Sequence, residues 1–141
     1  MSQNEHQVAR QLITYLNFGS FPGMIQFSSG FTYDEIMEIQ KDQEDAEDWR
    51  SALKDDKELI DSGKYFGLVR ELDGHQYYYI ILTGFFDFSD DAMIILAHEI
   101  LHLCQFRLRD TLDRNMEIEA EAYTHSHIMR QCLNALRGNF Q

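Results

Sequence analysis

His98, Glu99 and His102 form the pattern H-E-x-x-H within Ala97-His98-Glu99-Ile100-Leu101-His102. On an α-helix, residues four apart lie about 40° from one another and one turn along the axis. Both imidazoles therefore face the same way, which is the geometry of a two-nitrogen zinc clamp. Glu99, about 100° round from His98, can reach a water held on the metal without itself being a ligand. The competing reading is a buried helix that presents three polar side chains to ordinary hydrogen-bonding partners. Burying three such groups on an otherwise apolar helix is costly unless something coordinates or bonds them.

A catalytic zinc usually takes three protein ligands and keeps a fourth position for water, so a third ligand is expected from a separate element. Met116-Glu117-Ile118-Glu119-Ala120-Glu121-Ala122-Tyr123 offers three carboxylates at the start of the next helix. Glu117 and Glu121 share a face, whereas Glu119 points about 200° away from Glu117. Tyr123, His125, His127 and Tyr78 are the available donors for a developing oxyanion. Of these, His125 lies about 40° from Glu121 and nearest the metal-facing side. His125-Ser126-His127 is an H-x-H pair whose rings diverge on a helix, so no second metal site is expected. Gln105 shares the His98 face at the cleft rim, and His6 and His75 are read as exposed and uninvolved.

These two motifs together resemble the glutamate-ligand branch of the zincin metallopeptidases, which pair H-E-x-x-H with a later E-x-x-A/S-D/E/N helix. Glu117-Ile118-Glu119-Ala120-Glu121 matches the second motif. The resemblance implies His98, His102 and Glu117 as ligands of one zinc ion, with Glu121 supporting a ligand histidine. Glu121 stands where the family more usually has Asp or Asn, so the roles of Glu117 and Glu121 are open to exchange. The compact size and hairpin-then-helix order are similar to minimal zincins such as the ImmA/IrrE-type and phage-associated peptidases. The fold that this resemblance implies is an α+β, minimal zincin-like domain, a β-hairpin or small antiparallel sheet packed on the motif helix and its flanking helices. The implied activity is peptide-bond hydrolysis by metal-activated water with Glu99 as general base and His125 or Tyr123 as a further donor.

The elements that must position these groups are readable around them. Tyr65–Leu72 and His75–Thr83 are aromatic and β-branched runs separated by Asp73-Gly74, a strong hairpin signal. An edge strand of that ribbon could hold an extended peptide or protein substrate. Both faces of the second run are apolar, so at least one packs on helices. Ser89-Asp90-Asp91 can cap a buried central helix that continues to about Leu108. Asp110–Asn115 turns into a last helix from about Met116 to Leu136, stopped at Gly138.

Upstream, Val8, Ala9, Leu12, Ile13 and Leu16 recur at helical spacing and predict an amphipathic helix over about Glu5–Asn17. A turn at Phe18–Gly23 and a short strand at Met24–Phe27 come next. Tyr33 to about Ile60 is helical in pattern and strongly acidic. It is read as a solvated face, with Trp49 as the apolar pin that holds it; the sharper reading makes it a docking surface anchored by Trp49.

The 141 residues read as one domain, with a helical part at 1–62 and a metal-site core at 63–138. Against 24 Asp and Glu stand 12 Lys and Arg, a formal charge of −12 that repels nucleic acid and anionic membrane surfaces and would attract a basic protein partner. No stretch is long enough to span a bilayer and no export signal is recognised, so a cytoplasmic location is expected. Cys104 and Cys132, with no C-x-x-C, are expected as buried free thiols. The rival to an enzyme is a silent zincin-fold regulatory module with a structural zinc and an acidic docking helix; a third reading is a small acidic decoy without metal. Retention of Glu99 favours the enzyme, because a structural site has no need of a general base.

Overall fold

The two runs flanking Asp73-Gly74 pair as adjacent strands, and the rest of the sheet is built outward from the second of them. The structure is a computed structural model that describes residues 8–19, 22–43, 46–64, 66–72, 77–108 and 114–138, with the side chains at 72, 108 and 114–120 not described. Strands β1 (Leu12–Asn17), β2 (Met24–Ser29), β3 (Gly67–Leu72) and β4 (Tyr77–Leu82) form one sheet in the order β1-β2-β4-β3. Helices α1 (Tyr33–Gln40), α2 (Ala46–Leu53) and α3 (Lys57–Ile60) separate β2 from β3, and α4 (Asp90–Leu108) and α5 (Arg114–Arg137) come after β4. The fold is α+β, a small mixed four-stranded sheet with five helices among the described residues.

The sheet is mixed where an antiparallel one was expected. β3 and β4 run antiparallel, with Val69 opposite Ile80, but β2 and β4 run parallel, with Phe27 also opposite Ile80. The three helices after β2 carry the chain past one strand position, and β4 then returns to fill it. A parallel neighbour requires such a crossover. The arrangement buries β4 on both faces, which accounts for its unbroken apolar sequence. Tyr78, Ile80 and Leu82 face a core shared with Leu96, Ile100 and Leu103 of α4 and Ile128, Cys132 and Leu136 of α5. Tyr79 and Ile81 face a second core with Ile36, Trp49, Leu53 and Ile60 from α1 to α3.

Two further expectations are corrected upstream. The segment predicted as an amphipathic helix over Glu5–Asn17 contains strand β1 at Leu12–Asn17; residues 1–7 lie outside the described ones. Ile13, Thr14 and Tyr15 favour a strand, and all six residues of β1 find antiparallel partners on β2, from Leu12 opposite Ser29 to Asn17 opposite Met24. The helical part at 1–62 is therefore mixed. The single acidic helix over Tyr33–Ile60 is three short ones, because the chain must fold back to bring Ile36, Trp49, Leu53 and Ile60 onto one sheet face. Asp61 Oδ1 accepts from Tyr33 N–H at 2.9 Å and ties the end of this segment to its beginning. The strand at Met24 is found, extended to Ser29, and both cysteines are free and buried. The turn at residues 73–76, and with it Asp73-Gly74, lies outside the described residues.

Trp49 is 1% exposed, and its ring lies 4.3 Å from Tyr79 and edge-on to Tyr77 at 6.0 Å. It is the pin of the acidic segment. Truncation would open a cavity that three short helices cannot close, so Trp49→Ala should cost about 3–5 kcal/mol in denaturant unfolding. A loss under about 1 kcal/mol would show that α1 to α3 do not depend on it.

Candidate metal centre

Helix α4 begins where Ser89 Oγ accepts from Ala92 N–H at 3.1 Å, and Asp87 Oδ1 in turn holds Ser89 N–H at 3.0 Å. The hydrogen bonds from Ser89 keep the Asp87 carboxyl below its ordinary range. Ala92, Leu96, Ile100, Leu103 and Cys104 are buried, whereas Ile94 is 65% exposed and Leu101 and Phe106 are partly so. The helix expected as a buried central one has one open face. His98 and His102 stand on that face.

The Nε2 atoms of His98 and His102 lie 2.9 Å apart, with the rings nearly perpendicular. His102 also stacks on Phe106, centroids 6.5 Å apart. A tetrahedral ion about 2.0–2.1 Å from each nitrogen would hold them roughly 3.3 Å apart. The observed convergence differs from that by a few tenths of an ångström, a small rotation of either ring. The pair fits a zinc ion.

Glu99 lies against the first residue of β3, within electrostatic reach of His102 and His98. Burial pushes its carboxyl above the ordinary value, opposed by electrostatic attraction toward His102, His98 and Arg70 in that order. Its side chain lies against Gly67, the first residue of β3: a Cβ built there would overlap Glu99 Cγ and stand 3.0 Å from Cδ. β3 is a sheet edge. Thr83 N–H donates to Phe66 C=O at 2.9 Å, so Phe66 and Thr83 are a hydrogen-bonded pair in this register. By the antiparallel alternation, the backbone groups of Gly67, Val69 and Glu71 then point away from the sheet. Arg70 Nη1 donates to the outward carbonyl of Val69 at 2.8 Å, while Nε and Nη2 form a fork on Asp56 at 3.1 and 2.8 Å.

The partner helix α5 carries the remaining candidates. Glu117 lies in its first turns, and its side chain is outside the described residues. Glu121 faces α4, near enough to Cys104 to add to the burial that lifts that thiol to about 12. With Leu101, Ala122 and His125 it lines a cleft of about 400 Å³. His125 Nε2 donates to Ala97 C=O at 2.9 Å, one residue before His98. That bond joins the two helices beside the motif. Tyr123 is 63% exposed and stacks on His127, whose Nε2 is 2.7 Å from Asn17 Oδ1 on β1. It is about 200° round α5 from Glu121, so the structure does not bring it to the histidine pair. Tyr78 is in the core, edge-on to Phe18, and Gln105 is exposed. His6 and His75 fall outside the described residues. Among the described residues, no group of three His, Cys, Asp or Glu side chains is placed to hold a metal.

Gly67, Arg70 and Asp56 were not singled out from the sequence. A glycine opening a β-branched run, with no turn to explain it, is a signal for close approach by another element. Comparison with known proteins finds no matching family model, no matching curated protein and no matching solved structure.

The raised Glu99 carboxyl has a consequence for stability. Its folded-state value exceeds the ordinary 4.5, so ionisation opposes folding. That penalty is absent below the unfolded value and fully present above the folded one. Metal-free Glu99→Gln should therefore be more stable than the metal-free parent at pH 7, with the gap closing as pH falls through the raised folded-state value toward 4.5. Urea midpoints across that range test this; a gap independent of pH would contradict it.

Proposed function

We propose that this chain is a zinc-dependent peptidase of zincin type that cuts an extended peptide laid along the edge strand β3. The observation that carries the reading is the convergence of His98 Nε2 and His102 Nε2 at 2.9 Å on the open face of α4, with Glu99 against the edge strand and within electrostatic reach of both. His98 and His102 would hold the ion with Glu117, and Glu121 supports a histidine or takes Glu117's place. Bound zinc would polarise a water toward pKa about 7 and draw on the carbonyl oxygen of the substrate.

The chain's own groups supply the rest. A Glu99 carboxylate oxygen accepts the proton of the attacking water and later delivers it to the departing amine nitrogen. Its raised affinity for a proton suits both transfers. The outward N–H groups of Gly67 and Val69 and the outward C=O of Gly67 can pair with the backbone of an extended substrate, which gives affinity without regard to sequence. The formal charge of −12 favours basic substrates or partners over nucleic acid. Among the described residues no helix is long and apolar enough to cross a membrane. Two buried free thiols suit a reducing compartment, which makes the cytoplasm the proposed location. The silent docking module is less well supported, because Trp49, its proposed anchor, is buried inside the protein.

Zinc quantification combined with cleavage of a peptide library tests the reading. The purified chain should hold one zinc per molecule, and His98→Ala should lose it. Glu99→Gln should keep the metal and lose about 10²–10⁴ in kcat. A zinc-loaded wild type that cleaves no library member, or a Glu99→Gln variant that cleaves at the parent rate, would sink the peptidase assignment.

A further inference from the structure

Gly67 has no backbone reason to be glycine. It sits in a regular strand opposite Leu82 and lacks the positive φ that marks, for example, Gly30 at +86°. Glycine weakens a strand interior, since it has no side chain to pack and loses more freedom on ordering. What sets the position apart is Glu99. The side chain of Glu99 occupies the space a Cβ would take, with Cγ overlapping it, Cδ 3.0 Å away and Oε1 3.4 Å away. Backbone and helix side chain meet there without an intervening group.

The same contact bears on the carboxylate's aim. Glu99 has three rotatable side-chain bonds, and among the described residues no hydrogen bond restrains its carboxylate. Its first side-chain carbons are instead confined between α4 and the bare backbone of β3. A proton acceptor placed by shape alone depends on the surface that shapes it. Because β3 is also the edge along which an extended chain would lie, one residue joins the seat of the carboxylate to the substrate track.

We infer that Gly67 is a positioning residue for Glu99: its missing side chain forms the notch that directs the carboxylate toward the histidine pair at the edge of β3. The inference rests on the reading of Glu99 as general base. Any side chain at position 67 pushes Glu99 off the line between His102 and the strand while leaving both imidazoles in place. Zinc binding and proton transfer thereby become separable by a single methyl group.

Four proteins test this: wild type, Gly67→Ala, Glu99→Ala and the double variant. Each is followed by thermal unfolding, zinc content and, for a peptide the wild type cleaves, kcat and KM. Gly67→Ala should lower the unfolding midpoint by roughly 4–10 °C when Glu99 is present and by less than half as much in the Glu99→Ala background. Zinc stoichiometry should be unchanged, and kcat should fall roughly 100-fold with KM within about threefold. Should Gly67→Ala fail to fold, recovery of a folded double variant gives the same answer about the notch. Equal losses in the two backgrounds, or wild-type kcat in Gly67→Ala, would overturn the inference. If the wild type cleaves nothing, the peptidase reading falls by itself, and the unfolding cycle still decides whether Gly67 seats Glu99.

Discussion

Leu96, Ile100 and Leu103 are wholly withdrawn from solvent, and their burial against β4 sets the rotation of α4 about its axis. Burying three such side chains is worth about 1.5–3 kcal/mol each, far more than any surface contact the helix could make by turning. With that face fixed, every other position on the helix is assigned. His98 and His102 fall on the open side, Glu99 falls toward β3, and Cys104 falls toward α5 and Glu121. A rotation by one residue, about 100°, would drive an imidazole into the core without a partner. The arrangement of polar groups is thus held by apolar packing that touches none of them.

The second helix is held to the first by a similar division of labour. Ile128, Cys132 and Leu136 pack inside, while polar ties fix its position at the rim. His125 bonds the Ala97 carbonyl, and Gln131 bonds the backbone of Asn17 through both ends of its amide, at 3.2 and 2.9 Å. Arg107 reaches from α4 to the Pro22 carbonyl at 2.9 Å and lies over the ring of Phe18. The turn after β1 and both long helices are therefore locked together on the side of the sheet that carries the histidines. The opposite face is closed by α1 to α3, pinned by Trp49, and it reaches the candidate centre through Asp56, whose carboxylate holds Arg70.

How legible the fold was depended on the range of the interactions that decide each element. Strands β3 and β4 and helices α4 and α5 are read from local signals: an Asp-Gly between apolar runs, a serine cap and a glycine stop. β1 is not. Val8, Ala9, Leu12, Ile13 and Leu16 satisfy a helical spacing, yet Leu12 to Asn17 also alternate acceptably, and only pairing with β2 chooses between them. The broken course of residues 33–60 has the same origin, because nothing in a local acidic pattern says where the chain must turn back to cover a sheet. The parallel pairing of β2 with β4 is likewise a property of the crossover between them.

The facing of His98 and His102 was determined by the sequence itself, since an i, i+4 pair on a helix is neighbouring wherever that helix goes. The identity of Glu99 as the carboxylate beside them was equally local. Tertiary structure alone decided what lies opposite. That Glu99 meets the bare backbone of Gly67, that β3 is an edge, and that His125 is committed to Ala97 while Tyr123 turns to His127 all depend on strand order and helix packing between residues far apart in the chain. Local geometry specifies a cluster of ligand types, and only the burial of the apolar faces around it settles which surfaces that cluster confronts.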